Sequence, residues 1–179
     1  MRRYGIAVIA VLAGLVCGTA DAKSVKLLAV GNSFSNNALR YFKEIVTAAG
    51  HEAIVGHAMI GGCDFDRHVR HAEAFEKDPA DPQGRPYAGK KSLQELLQQE
   101  KWAYVTIQQV SHKAPIPESY QPGADRLIAI IRKYAPDAEI VVHQTWAYRD
   151  DHPVGGAKRF VSTDDMYRKV RTAYDAFCQ

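Results

Sequence analysis

The stretch that decides the fold is Val25-Lys26-Leu27-Leu28-Ala29-Val30-Gly31-Asn32-Ser33-Phe34-Ser35. A short apolar, β-branched run reads as a strand. It ends on a glycine, and helical spacing begins a few residues later, with Leu39, Phe42, Val46 and Ala49 on one stripe. Asn36 or Asn37 is placed to cap that helix, and Gly50 sits where a glycine ends one. Strand, tight turn and helix are the opening half of a βαβ unit.

The same alternation continues outward. Further strands are predicted around Ala53–Ala58, Tyr104–Gln108 and Ile140–His143. Between them, Ser92 and Glu95 form a capping box before Leu96 and Leu97. Ala124, Leu127, Ile128, Ile131 and Tyr134 make a third helical stripe that stops before Pro136. A last helix is expected from Ser162 or Thr163, with Tyr167, Val170, Tyr174 and Phe177 on one face. Four strands alternating with helices predict an α/β domain with a parallel sheet. A fifth strand is expected after the last helix in such a unit, and the sequence has no run for it before Gln179, so part of that helix's apolar face is expected to be uncovered. Residues 60–91 form a long excursion rich in turn signals, with room for a short helix around Phe65 to Phe75.

The N-terminus reads as an export signal. Arg2 and Arg3 precede an apolar run from Ile6 to Val16, and Ala20-Asp21-Ala22 offers a cleavage site before Lys23. Residues 1–22 are therefore expected to be a signal peptide, residues 23–179 the domain, and the destination the periplasm or the exterior. The apolar run falls short of the roughly 20 residues of a membrane span, and no later run is long enough. Cleavage would lower the net charge of +3 by one. So mild a charge, with no basic stripe among aromatics, argues against nucleic acid as a partner. Cys63 and Cys178 would remain, with no zinc-type spacing, and they read as separate thiols rather than a disulfide.

Ligands of open α/β sheets bind beyond the carboxyl ends of the strands. That rule gathers Ser33, Gly61-Gly62-Cys63, Gln108-Gln109-Val110-Ser111-His112 and His143-Gln144-Thr145-Trp146 at one edge. From spacing alone, Ser33 is either an exposed nucleophile or a turn serine capping a helix. The lipase-type G-x-S-x-G elbow is absent, since Ser35 replaces the second glycine. His68 and His71, three apart, read as surface histidines of an amphipathic helix. As metal ligands they lack a third partner, so no metal or other cofactor is expected.

Leu27 to Ser35 resembles the first block of the SGNH/GDSL hydrolases, with Asn32 in place of the usual aspartate and Phe34 in place of leucine. Gly31-Asn32-Ser33-Phe34, Gly61-Gly62-Cys63 and Thr145-Trp146-Ala147-Tyr148 together are similar to a bacterial branch of that superfamily with no settled substrate. The resemblance spans most of residues 25–178 and implies a flavodoxin-like, three-layer α/β/α sandwich. It also implies an ester hydrolase with Ser33 as nucleophile, acting on a carbohydrate or another small ester.

The oxyanion hole implied by position comprises the Ser33 N–H, an N–H of Gly62 (or Gly61), and a side-chain amide. Gln108-Gln109 stands where the superfamily has its asparagine block, and Gln109 is the favoured donor. The superfamily's C-terminal Asp-x-x-His, source of the base, is not found after residue 112; Asp150-Asp151-His152 has the residue types at another spacing. No catalytic histidine or aspartate is therefore carried over. His143 and Trp146 are expected substrate contacts, although Trp146 and Tyr148 equally suit closure of the sheet edge. The alternative to an esterase is a non-catalytic or truncated binding module on the same fold.

Overall fold

The computed structural model describes residues 22–152 and 162–179; the export signal expected at the N-terminus lies almost wholly outside them. Four parallel strands, β1 (Ser24–Gly31), β2 (Glu52–Met59), β3 (Tyr104–Ile107) and β4 (Glu139–Val142), form one sheet in the order β2-β1-β3-β4. The helices are α1 (Ser33–Ala38), α2 (Phe42–Ala48), α3 (Phe65–Lys77), α4 (Leu93–Gln98), α5 (Gly123–Tyr134) and α6 (Thr163–Phe177). The expected α/β fold with a parallel sheet is the one observed.

The strand alternation sorts side chains between two faces. Leu28, Val30, Val105 and Ile107 point into a core that α3, α4, α5 and α6 complete with Phe65, Val69, Leu93, Leu97, Leu127, Ile131 and Val170. Leu28 is fully enclosed, so Leu28→Ala is expected to cost about 2–5 kcal/mol of stability, lost methylene transfer plus residual cavity. A shift of the urea midpoint at unchanged slope would register it.

The opposite face, carrying Tyr104, Thr106 and Val141, is more thinly covered. The single helix expected after β1 is two. Asn32, not Asn36 or Asn37, caps the first: its Oδ1 accepts from the Phe34 N–H at 3.2 Å, so the helix starts at Ser33. A turn closed by Phe42 N–H to Leu39 O (3.2 Å) separates α1 from α2. Helix α2 buries no residue, and Ile45 is 65% exposed. Gly50 does end α2, at φ +79°.

In α6 the buried stripe is Met166, Val170, Ala173 and Tyr174, one step off the expected one, and Tyr167 points to solvent. The stripe is covered after all: Tyr174 and Phe177 pack on Tyr120, and Phe177 also meets Phe65. The excursion after β2 is equally well built. Asp64 caps α3 by accepting from the Arg67 N–H at 2.8 Å, and Tyr87 is buried beneath that helix. Ser92 and Glu95 form the expected capping box of α4. Among the described residues, no helix is long and apolar enough to cross a membrane.

Candidate active site

The carboxyl ends of the strands carry the site, and its floor is the turn Gly31-Asn32-Ser33. Asn32 is buried and ties two segments together. Its Oδ1 caps α1, and its Nδ2 donates to the Cys63 carbonyl at 3.0 Å. The Ile60 N–H donates to the Gly31 carbonyl at 3.1 Å. These bonds clamp the Gly61-Gly62 turn against the serine turn. Gly62 adopts φ +63° with open space where a Cβ would stand, a backbone conformation that favours glycine.

Ser33 itself is exposed between buried neighbours. The N–H groups that follow it are occupied, Phe34's by the Asn32 side chain and Ser35's by the Asn32 carbonyl at 3.0 Å. Among the described residues, those of Ser33 and Gly62 make no intrachain hydrogen bond.

The two glutamines part company. Gln109 was the favoured oxyanion donor, and the structure places it elsewhere. Its Nε2 donates to the Ser119 carbonyl at 2.8 Å, its Oε1 accepts from the Val110 N–H at 2.9 Å, and its N–H donates to the Tyr174 hydroxyl at 3.1 Å. The amide is fully buried and held by these partners, away from the serine turn. Gln108 lies under the serine turn. In the orientation that satisfies its neighbours, its oxygen accepts from the N–H groups of Asn32 (3.0 Å) and Ser35 (3.2 Å), and its nitrogen donates to His143 Nδ1 at 2.5 Å.

The missing side chain of Gly31 makes this possible, since a Cβ there would lie 2.8 Å from the Gln108 amide nitrogen and from Ser35 Oγ. Removing the amide by Gln108→Leu leaves the buried Asn32 N–H unmatched, so a loss of about 1–3 kcal/mol is expected in thermal denaturation.

Strand parity carried this information. Thr106 and Gln108 share the face opposite Val105 and Ile107, as do Val141 and His143 opposite Ile140 and Val142. Gln108 and His143 therefore meet on one side, while Gln109 turns toward α6.

His143 is half-buried, and burial pushes its imidazole below the ordinary histidine range. It lines a separate apolar cavity of about 330 Å³ with Ser35, Leu39, Thr106 and Val141. It does not line the cleft that holds Ser33. Trp146 does: that cleft, about 700 Å³, is bounded by Ser33, Phe34, Asn37, Trp146, Tyr148, Arg149 and His152. The Phe34 and Trp146 rings meet edge to face at 4.2 Å. Trp146 remains 43% exposed and offers a flat apolar surface.

The loop bearing Trp146 is tethered at both sides. The Tyr148 hydroxyl donates to Ser111 Oγ, the Tyr148 N–H reaches Met166 Sδ at 3.3 Å, and Thr163 Oγ1 donates to the Tyr148 carbonyl at 2.8 Å.

His68 corrects the surface-histidine reading. It is fully buried, with Nδ1 2.8 Å from the Tyr87 hydroxyl and Nε2 3.2 Å from the Gly31 carbonyl. Tyr87 donates to Nδ1, so the Nε2–H donates to Gly31 and props the serine turn from below. Burial pushes this histidine down to about 4, outweighing the opposing hydrogen bond to Gly31. His71 is separate and contacts the Gln83 carbonyl at 2.6 Å.

Lys113 and Asp64, 2.5 Å apart, join the loop after β3 to the start of α3. Burial raises the Asp64 carboxyl, but Lys113 and the Arg67 N–H outweigh it and hold it below the usual range. Cys63 and Cys178 are free thiols, as expected, and burial pushes Cys63 up to about 12. No cluster of three metal-ligating side chains occurs among the described residues.

Comparison with known proteins places the chain in a family and the fold in a superfamily. The model of a domain of unknown function, DUF4886, matches residues 26–175. The chain belongs to the DUF4886 family. A crystal structure of a DUF4886 protein from Bacteroides uniformis superposes with a TM-score of 0.74 at 28% identity, covering 86% of this chain and 62% of that one. The chain thus spans less than two thirds of that protein's length.

A protein from Slackia heliotrinireducens, described as a candidate SGNH hydrolase, superposes at 0.58 with 24% identity, covering 87% of this chain and 73% of its own. A family 3 carbohydrate esterase of Clostridium thermocellum superposes at 0.51 with 10% identity over the same shares. The DUF4886 domain therefore has the fold of the SGNH/GDSL hydrolase superfamily. No curated protein matches the chain.

Proposed function

We propose that this DUF4886 domain is an exported serine ester hydrolase that removes an acyl group from a carbohydrate or another small ester. The observation that carries the reading is the state of Ser33. It is exposed on a turn whose neighbours are buried and bonded, and it opens onto a cleft walled by aromatic rings. The Oγ attacks the ester carbonyl. The N–H groups of Ser33 and Gly62, free of intrachain acceptors among the described residues, receive the developing oxyanion. An alcohol leaves, and water then releases the acid from the acyl-enzyme. The exposed Trp146 face suits a sugar ring or an apolar acyl chain.

Acetylated oligosaccharides and simple aryl acetates, assayed with wild type and Ser33→Ala, test this reading. Turnover that vanishes with Ser33 supports it. Saccharide binding without turnover would favour the alternative of a binding module built around the Trp146 surface.

A further inference from the structure

The N–H groups of Ser33 and Gly62 stand on different turns, so their mutual aim depends on how those turns are joined. The Ile60 N–H donates to the Gly31 carbonyl at 3.1 Å, and Asn32 Nδ2 donates to the Cys63 carbonyl at 3.0 Å. A further link comes from His68, near the start of α3, whose Nε2 lies 3.2 Å from the same Gly31 carbonyl. Helix α3 follows directly on the Gly62 turn, with Asp64 as its cap. His68 therefore ties the segment that carries Gly62 to the turn that carries Ser33.

The direction of this bond is fixed by its partners. A carbonyl oxygen only accepts, so Nε2 carries the proton and the neutral ring leaves Nδ1 as an acceptor. The Tyr87 hydroxyl, 2.8 Å away, donates to it. The two rings lie nearly parallel, with 8° between their planes, and both are buried. Burial holds the imidazole down at about 4 and raises the Tyr87 hydroxyl, so both groups keep these roles at neutral pH.

The Gly31–Asn32 peptide is held at its other end as well, because the Asn32 N–H donates to the Gln108 amide oxygen at 3.0 Å. His68 grips the carbonyl and Gln108 the N–H, which stops that peptide from rotating. The next peptide carries the Ser33 N–H, so its direction follows from this one.

We infer that His68, kept in one tautomer by Tyr87, is a positioning residue for the oxyanion hole: through the Gly31 carbonyl it sets the aim of the Ser33 N–H relative to that of Gly62. This rests on the esterase reading above. His68 has no exposed surface, so it acts through Gly31 and touches no substrate. A donor stabilises the oxyanion only within about 2.7–3.1 Å of where that oxygen will be. A small tilt of the Asn32–Ser33 peptide therefore slows the chemical step and leaves ground-state binding in place.

The test is hydrolysis of para-nitrophenyl acetate by the full chain in wild type, Ser33→Ala, His68→Phe, His68→Gln and His68→Phe/Tyr87→Phe. Each is assayed below its thermal transition, with kcat counted per serine that a fluorophosphonate labels at end point. His68→Phe keeps a planar ring and loses the donor. It is expected to lower kcat about 10-fold or more, towards the 10²–10³-fold of losing an oxyanion donor outright, with KM little changed. His68→Gln offers an amide N–H to Gly31 and should regain most of kcat. The double variant replaces both polar partners by apolar rings and leaves no Tyr87 hydroxyl unpaired, so it should fold and show the kcat of His68→Phe. A merely structural histidine would alter the thermal transition and the amount of labelled serine, and leave kcat per labelled serine alone.

Wild-type kcat per labelled serine in His68→Phe and in the double variant, with Ser33→Ala inactive, overturns the assignment and leaves the esterase reading standing. A rise in KM at unchanged kcat does the same. Turnover that does not depend on Ser33, or no turnover by wild type, overturns the esterase reading and this assignment with it.

Discussion

Ser33→Ala should lower ester turnover by at least about 10⁴-fold, because nucleophile and base act as a unit and loss of either forfeits nearly all covalent catalysis. The substitution is also structurally mild. The Ser33 side chain is exposed, and no intrachain hydrogen bond of its hydroxyl occurs among the described residues. The bonds that shape its turn belong to Asn32, Ser35, Gln108 and His68. Substrate affinity should therefore change little while kcat collapses. A turnover loss accompanied by a lower melting temperature would place Ser33 among the turn's structural residues instead, contrary to this account.

Acid should weaken the fold through His68, by about 3 kcal/mol between pH 6.5 and pH 4. In the unfolded chain this histidine titrates near its ordinary 6.5, whereas in the folded chain burial pushes it down to about 4. Above pH 6.5 both states hold the neutral ring, and its contribution is fully present. As pH falls through this window only the unfolded chain binds the proton, and each pH unit costs about 1.4 kcal/mol. The proton would have to occupy a ring whose Nδ1 accepts from Tyr87, so protonation breaks that bond. Denaturant unfolding of wild type and His68→Gln from pH 8 to pH 4 checks this. The variant should be weaker at pH 8 and show a shallower decline; parallel declines would contradict it.

Much of the fold is legible in the sequence because its signals are local. Strand runs such as Leu27 to Val30, the Ser92–Glu95 capping box and Gly50 after α2 each require only neighbouring residues, and each is found where expected. The break at Leu39–Tyr41 is less legible, because Asn32 starts the helix earlier than Asn36 or Asn37 would. That choice depends on Cys63 and Gln108, which are distant in sequence.

Part of the candidate site's geometry was legible: Ser33 and Trp146, both expected at strand ends, line one cleft, and Gly62 stands in the turn clamped against the serine turn. Gln109 reads in sequence as a free loop side chain, but the alternation of β3 sets it on the side opposite Gln108, where its Nε2 donates to the Ser119 carbonyl. His68 had a similar signal, lying at helical spacing from Phe65 and Ala72, both buried. Its partner Tyr87, nineteen residues away in an irregular segment, could be found only once the chain was folded.

The most direct test of the central claim is to treat the purified chain with a fluorophosphonate at neutral pH and locate the adduct by peptide mass spectrometry. The account predicts a single phosphonylated peptide containing Gly31-Asn32-Ser33-Phe34, with the adduct on Ser33 and none in Ser33→Ala. An adduct on Ser35 or Ser111, or no adduct on native chain that turns over esters, would contradict it.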